Sequence, residues 1–217
     1  MGLFGAILLA GCVSTEPRRE GASMTRQRGP GRVPDGAAST HPIRVGYALP
    51  RLVLRTPQGR RFQVRGDTGR VPLLLIYYRG GWCPYCNRHL ADLQNAEQEF
   101  TRLGIRILAI SPDRPEELQR THQRHGMAYQ LLSDSSMVGA RRLGLAFQVD
   151  DKTFKHYRKD YGIDLEKSSG ERHHQLPVPA AILVDRRGIV RFVHADPDYR
   201  HRIDMRTLLD RAREVAR

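Results

Sequence analysis

The sequence predicts an α/β domain with a mixed central sheet flanked by helices, and three observations carry that prediction. Two short apolar runs, 73–76 and 105–110, are bounded by turn residues and separated by a helical pattern over 87–103. Strand, helix, strand in that order is a βαβ unit, which implies parallel neighbours joined by a right-handed crossover. Later, strand patterns at 179–185 and 189–194 flank Arg186-Arg187-Gly188, the mark of an antiparallel hairpin at the sheet edge. Third, Cys83 and Cys86 stand where the first long strand gives way to the first long helix.

In chain order, the folded part is expected to start near Arg44. Leu52-Val53-Leu54 and Phe62-Gln63-Val64 flank Thr56-Pro57-Gln58-Gly59, an N-terminal β-hairpin with a Pro-Gly turn. Residues 71–78 form the first buried strand. The helix over 87–103 carries Leu90, Leu93, Ala96 and Phe100 at three- and four-residue spacing, and Gly104 ends it. After the strand 105–110, Ser111-Pro112-Asp113-Arg114-Pro115-Glu116-Glu117 is a turn and helix start, with Asp113 and Glu116 assigned to capping and the helix running to about His125. A short strand at 129–132 follows, then Ser133-Asp134-Ser135-Ser136 capping a helix to Leu143. Residues 148–177 are polar and poor in pattern, an expected insertion with one helix at 152–161. A final amphipathic helix is expected over 202–216 through Ile203, Met205, Leu208, Leu209 and Val215.

The N-terminal part has a different character. MGLFGAILLAGC is apolar, and Leu9-Ala10-Gly11-Cys12 resembles the lipobox of bacterial lipoproteins, which implies Cys12 as a lipidation site. No Lys or Arg precedes the apolar run, whereas a secretory signal has a charged n-region. A start upstream of Met1 and a start at Met24 therefore both stay open. The expected location is a membrane-tethered lipoprotein if residues 1–12 are translated, and cytoplasmic otherwise. Residues 13–43 are rich in Arg, Gly, Pro, Ser and Thr and are expected to form a disordered linker before a single domain over 44–217.

A formal net charge of +13 raises the question of a nucleic-acid partner. Only Lys152, Lys155, Lys159 and Lys167 are lysine among the 36 basic residues, and the arginines are spread along the chain with no basic-aromatic module. A solvated Arg-rich surface accounts for that pattern, and no nucleic-acid partner is expected.

The chemistry lies in Tyr77-Tyr78-Arg79-Gly80-Gly81-Trp82-Cys83-Pro84-Tyr85-Cys86. Free N–H groups and the positive dipole end at a helix start favour a thiolate and lower its pKa. Two cysteines separated by two residues can also close into a disulfide. The inferred chemistry is thiol–disulfide exchange or thiol oxidation, with Trp82 and Tyr85 as walls and Gly80-Gly81 allowing close backbone approach. Structural zinc is the competing use of CxxC, but it wants four ligands. Cys12 is the one other cysteine, and the adjacent His173-His174 lack ligand spacing, so no metal is expected; His122 and His125 are assigned to the surface.

YYRGGWCPYCNRHL, ISPDRPEELQ, LLSDSSMVGARRLGL and VPAAILVDRRGIVRFVHADPDYR together resemble the peroxiredoxin-like, CxxC-containing branch of the alkyl hydroperoxide reductase / thiol-specific antioxidant family, over roughly residue 45 to the C-terminus. The resemblance implies a thioredoxin-like fold and an antioxidant thiol oxidoreductase. The family's attacking residue, the last of Pro-x-x-x-Thr-x-x-Cys, falls on Cys86. Its Thr falls on Cys83, its Pro on Arg79, and its distant Arg on Pro179, six residues before Asp185. The substituted Thr restores the dithiol of thioredoxins, and Val178-Pro179 falls where those proteins keep a cis-proline facing the CxxC, so a cis bond is expected there. Arg79 is expected to replace the missing Arg as a donor toward the peroxide oxygens.

Two orders of attack are left open. Either Cys83 is the exposed nucleophile and Cys86 resolves, or Cys86 attacks peroxide and Cys83 resolves its sulfenic acid. Both end in a Cys83–Cys86 disulfide that needs a thioredoxin-type reductant, and neither implies a cofactor. Peroxide and protein disulfide remain alternative substrates. A non-enzymatic, tethered metal- or partner-binding module is the alternative of another class.

Overall fold

The computed structural model describes residue 1 and residues 32–217. Cys12 and the rest of the lipobox-like run lie outside the described residues, as does most of the expected linker. A seven-stranded sheet in the order β2-β1-β5-β4-β3-β8-β9 forms the centre. β3 (Leu73–Tyr77), β4 (Arg106–Ser111) and β5 (Gln130–Ser133) are parallel, and β8 (Ala180–Val184) and β9 (Val190–Ala195) add antiparallel to β3. The hairpin β1 (Val53–Arg55) and β2 (Arg61–Gln63) extends the other edge, joined to β5 at Arg55 and Ser133.

Alternation along β3 sorts its side chains into two cores. Leu74, Ile76 and Tyr78 face α1 (Pro84–Arg102), α2 (Pro115–His125) and α6 (Met205–Ala216). Leu73, Leu75 and Tyr77 face the hairpin and α3 (Val138–Arg142). The βαβ expectation and the thioredoxin-like arrangement, a mixed sheet with helices on both faces and an N-terminal hairpin, match what is observed.

Three expectations are corrected. Residues 32–43, assigned to the linker, are packed on the domain. Ile43 is buried and its N–H donates to Leu143 O at 2.8 Å, Val33 packs against the core, and Pro34 O accepts from Gln148 N–H at 2.8 Å. The composition is that of a linker, yet these few apolar groups and backbone bonds suffice to dock it. Helix α6 begins at Met205, not at 202, because Asp204 caps it by accepting from Thr207 N–H at 2.9 Å. No described peptide bond is cis, so Val178–Pro179 is trans; Val178 N–H donates to Leu145 O at 2.8 Å and Pro179 leads into the extended strand β8.

The 148–177 segment holds more structure than its pattern shows. Helix α4 (Asp151–Asp160) lies close to the expected span, capped by Asp150. Helix α5 (Leu165–Ser169) follows, and β6 (Ala146–Gln148) pairs with β7 (Gln175–Pro177) in a separate two-stranded sheet. Val149, Leu165 and Leu176 form a small core of their own, against which Phe154, Tyr157, Ile163 and Trp82 pack. Trp82 also packs on the α1 core, so it joins the insertion to the rest of the molecule.

Candidate active site

The site grows from the end of β3. The chain leaves the strand at Tyr77, passes Arg79, Gly80 and Gly81, and enters α1 with Cys83 at the N-cap position and Pro84 in the first turn. Helix α1 thus starts three residues before the expected 87, which places Cys86 inside its first turn. Gly80 has φ 149°, and a Cβ there would run into the Trp82 indole; a Cβ on Gly81 would run into Thr121 Oγ1. Both positions require glycine because the backbone passes so close to its neighbours.

Asp113 holds this loop. Its buried carboxylate accepts from Gly81 N–H at 2.7 Å, from Ser111 Oγ at 3.0 Å, and from Ser168 Oγ of α5. It is not the cap of α2, whose N-cap is Arg114, so the capping role assigned from sequence is corrected: a buried acceptor for the loop takes its place. Burial pushes its pKa up, and the three donors oppose that rise. Glu116 does lie in the first turn of α2.

The two thiols are free and deeply buried, with exposures of 1% at Cys83 and 0% at Cys86. They share one negative charge, and the surroundings place it on Cys83. The Cys86 thiol hydrogen bond lowers the Cys83 pKa to about 6 against the cost of burial, helped by the Cys86 backbone N–H and by the charges of Arg79 and Arg202. Burial, then the neighbouring Cys83, pushes Cys86 well up, with Arg202 opposing.

Arg202 is the residue that sequence reasoning missed. It was placed in the final helix, but it precedes α6, and its Nη2 donates to Cys86 Sγ at 3.1 Å while its Nε donates to Tyr199 O at 3.0 Å. Nothing in its local sequence distinguishes it from the other arginines; the contact spans 116 residues of chain. Arg202 also lines a groove of about 1030 Å³ between α1 and α6, so the residue that donates to the Cys86 sulfur borders that groove as well.

Arg79 stands differently from its expected role. Its guanidinium, 4% exposed, lies 4.0 Å from the Tyr199 ring centre, 5.1 Å from Trp82 and 5.4 Å from Tyr157, and it donates to the Tyr157 hydroxyl. The donor to sulfur is Arg202, and Arg79 acts on Cys83 through its charge. Pro179 offers no donor and precedes β8. Tyr85 is exposed and meets Tyr199 edge-on at 5.6 Å.

His89, one helical turn beyond Cys86, is 6% exposed, with Nε2 lacking a hydrogen-bond partner. Burial first, then the charges of Arg202 and His194, lowers its pKa to about 4 and keeps it neutral. His173 contacts Ser135 O at 2.7 Å and His174 contacts Glu166 at 2.7 Å, so these two half-buried residues have local partners; among the described residues no cluster of three metal-ligating side chains occurs.

Residues 45–193 match the AhpC/TSA family. A putative peroxiredoxin of Mycobacterium tuberculosis is 28% identical over 89 residues, which cover 41% of this chain and 56% of that protein. Peroxiredoxin Bcp of Bacillus subtilis is 26% identical over 127 residues, 58% of this chain and 76% of that one. The chain thus spans little more than half of the mycobacterial relative and about three quarters of the Bacillus one. Among solved structures, peroxidoxin BcpB of Mycobacterium tuberculosis superposes with a TM-score of 0.62 at 15% identity, covering 80% of this chain and 98% of that one. With the family match extending from the β1–β2 hairpin through the CxxC to β9, the chain belongs to the AhpC/TSA family.

Proposed function

We propose that the protein is a thiol-dependent peroxidase that reduces small hydroperoxides through a Cys83/Cys86 dithiol–disulfide cycle. The observation that carries this reading is a pair of buried sulfurs with a guanidinium donating to one of them at 3.1 Å. The Cys83 thiolate attacks a peroxide oxygen, the O–O bond breaks, and the alcohol or water product leaves with a proton. Cys83 is then a sulfenic acid. Its negative charge is gone, so the part of the Cys86 shift that comes from its neighbour, second to burial, is removed, and Arg202 stabilises the new thiolate. Cys86 displaces the sulfenic oxygen as water and the disulfide forms. A thioredoxin-type protein dithiol restores the pair by giving up two electrons and two protons.

Stopped-flow oxidation of the fully reduced protein by hydrogen peroxide tests this. Fast reaction is expected in the parent and in Cys86→Ser, which stops at the sulfenic acid, and loss of reaction in Cys83→Ser. Arg202→Ala should slow disulfide closure by about 10²-fold, the scale of a lost charge-stabilising donor. Loss of the first step in Cys86→Ser alone would transfer the attack to Cys86, the position the family motif favours. Reaction no faster than that of a free thiol, with insulin disulfides reduced instead, would make the protein a disulfide reductase.

The lipobox-like run ending at Cys12 supports a lipid tether on a bacterial membrane. Among the described residues no helix is long and apolar enough to cross one. Membrane fractionation of the full chain beside Cys12→Ala tests the tether; equal distributions would remove it.

A further inference from the structure

Arginines that lie scattered in the sequence gather on one surface when the chain folds. In and just before β1 the side chains alternate: Arg51, Val53 and Arg55 are exposed, while Leu52 and Leu54 are buried. In the hairpin register Arg55 stands opposite Arg61 and Val53 opposite Gln63, so these residues share the outer face. Arg51 and Arg61 both donate to Gln63 Oε1 at 3.2 Å, and Arg55 donates to Gly59 O at 3.0 Å. From the end of α3, exposed Arg142 reaches the same corner by donating to Arg51 O.

These guanidinium groups lack counter-charges. Arginines of α2 and α6 have acid partners: Arg120 pairs with Glu117, Arg211 with Glu214 and Arg213 with Asp210. Among the described residues no carboxylate lies within ion-pair distance of Arg51, Arg55, Arg61 or Arg142. Asp67 is the one acid between residues 36 and 91, and its carboxylate accepts from Gln63 N–H at 2.6 Å. Like charges directly opposite each other on two strands are destabilising. Arg55 and Arg61 in register therefore work against the hairpin, and a local rule broken in this way points to a use outside the fold.

Charge and the preceding chain identify the occupant. A guanidinium fork matches phosphate oxygens, and its weak hydration suits it to that contact. Residues 13–31 lead back from the docked arm at Val33 to Cys12 and span at most about 65 Å when extended. A tether of that reach keeps the domain beside a membrane without orienting it. Anionic headgroups attract each arginine held near them, so a cationic face supplies the orientation. The hairpin packs on the core across the sheet from both cysteines, which keeps this face apart from the chemistry.

We propose that the outer face of the β1–β2 hairpin, with Arg51, Arg55, Arg61 and Arg142 around Val53, docks on the phosphate headgroups of an anionic membrane. The inference rests on the tether reading and adds to it the surface by which the tethered domain lies down.

Co-sedimentation of the full Cys12→Ala chain, which carries no lipid, tests this with vesicles of phosphatidylcholine alone and of phosphatidylcholine with phosphatidylglycerol. Binding is expected on the anionic vesicles and should fall as salt rises. Arg55→Ala with Arg61→Ala should weaken it by about thirtyfold, the scale for two arginines at an anionic surface, whereas Arg55→Lys with Arg61→Lys keeps it. Arg124→Ala with Arg206→Ala removes the same charge from exposed positions on α2 and α6 and should change little. Equal weakening by the two alanine pairs would mean attraction by net charge alone and would overturn the face. Equal binding to both vesicles, through the apolar run at 3–10, would overturn it too. A DNA duplex that binds more tightly than the vesicles, and loses affinity with the hairpin pair, would assign the face to nucleic acid instead. The urea midpoint of the hairpin alanine pair should match or exceed that of the parent, because a like-charge pair is removed. A lower midpoint would show that these arginines serve the hairpin itself and would overturn the proposal. Vesicle binding beside a membrane fractionation unaffected by Cys12→Ala would remove the tether and keep the face; the reverse pair of results would remove the face alone.

Discussion

Cys83 and Cys86 lie one helical turn apart and shift in opposite directions: the Cys86 thiol hydrogen bond lowers Cys83, while burial first and then the Cys83 neighbour raise Cys86. Cys83, at the end of the helix dipole, keeps the charge; Cys86, one turn deeper, gives its thiol proton to the hydrogen bond. The rate of peroxide oxidation should therefore rise with pH through about 6 and level off above it, since the deprotonated form of Cys83 is the reactive one. A profile rising instead through the ordinary thiol range would show that the charge is not held there. Asp113→Ala should leave the Gly81 N–H without its acceptor, lower stability by about 1–3 kcal/mol, and slow the oxidation, because the loop carrying Cys83 loses its anchor. Denaturant titration and stopped-flow kinetics on the same variant separate the two effects. Residues of this kind differ in how far the sequence discloses them. Cys83, Cys86 and the two glycines are local features of one decapeptide and could be recognised there. Arg202, Tyr157 and the true task of Asp113 depend on contacts made across 116, 78 and 32 residues of chain, and no local pattern records them.

Among the elements, legibility followed periodicity. The β1–β2 hairpin, β3, β4 and the β8–β9 hairpin were all expected, because each is a short apolar or alternating run between turn residues. Helix ends were less legible. α1 starts earlier than its apolar repeat because Pro84 is suited to the first turn, and α6 starts later because Asp204 rather than the apolar pattern sets its entry. The insertion reads as a segment with one helix, and its three-residue core escapes the local pattern because it draws on Trp82 from another element. Helix α3 depends on a side chain from outside itself: Asp134 accepts from Gly139 N–H at 3.0 Å and Ala140 N–H at 2.7 Å. Asp134→Ala would leave both donors buried and unpaired, and should cost about 2–4 kcal/mol in urea denaturation. A loss below 0.5 kcal/mol would mean that the helix end finds other partners.

For the molecule as a whole, the sheet separates a chemical side from a supporting side. Both cysteines belong to the core shared with α1, α2 and α6, and the docked residues 33–43 belong to the other. Ile43→Ala should lower stability by about 2–4 kcal/mol with little change in peroxide kinetics, because the core it leaves is across the sheet from the sulfurs. A large kinetic effect would show that the two layers are coupled. The shared charge of the thiol pair has an electrochemical consequence as well. Holding the Cys83 pKa at about 6 rather than 9.0 leaves that thiol mostly ionised at neutral pH, which favours the dithiol over the disulfide by about 1.4 kcal/mol. For a two-electron couple this raises the reduction potential by about 30 mV. A Cys83–Cys86 disulfide is thus a more willing electron acceptor than an unassisted pair would be, so the cycle is tilted toward its own renewal.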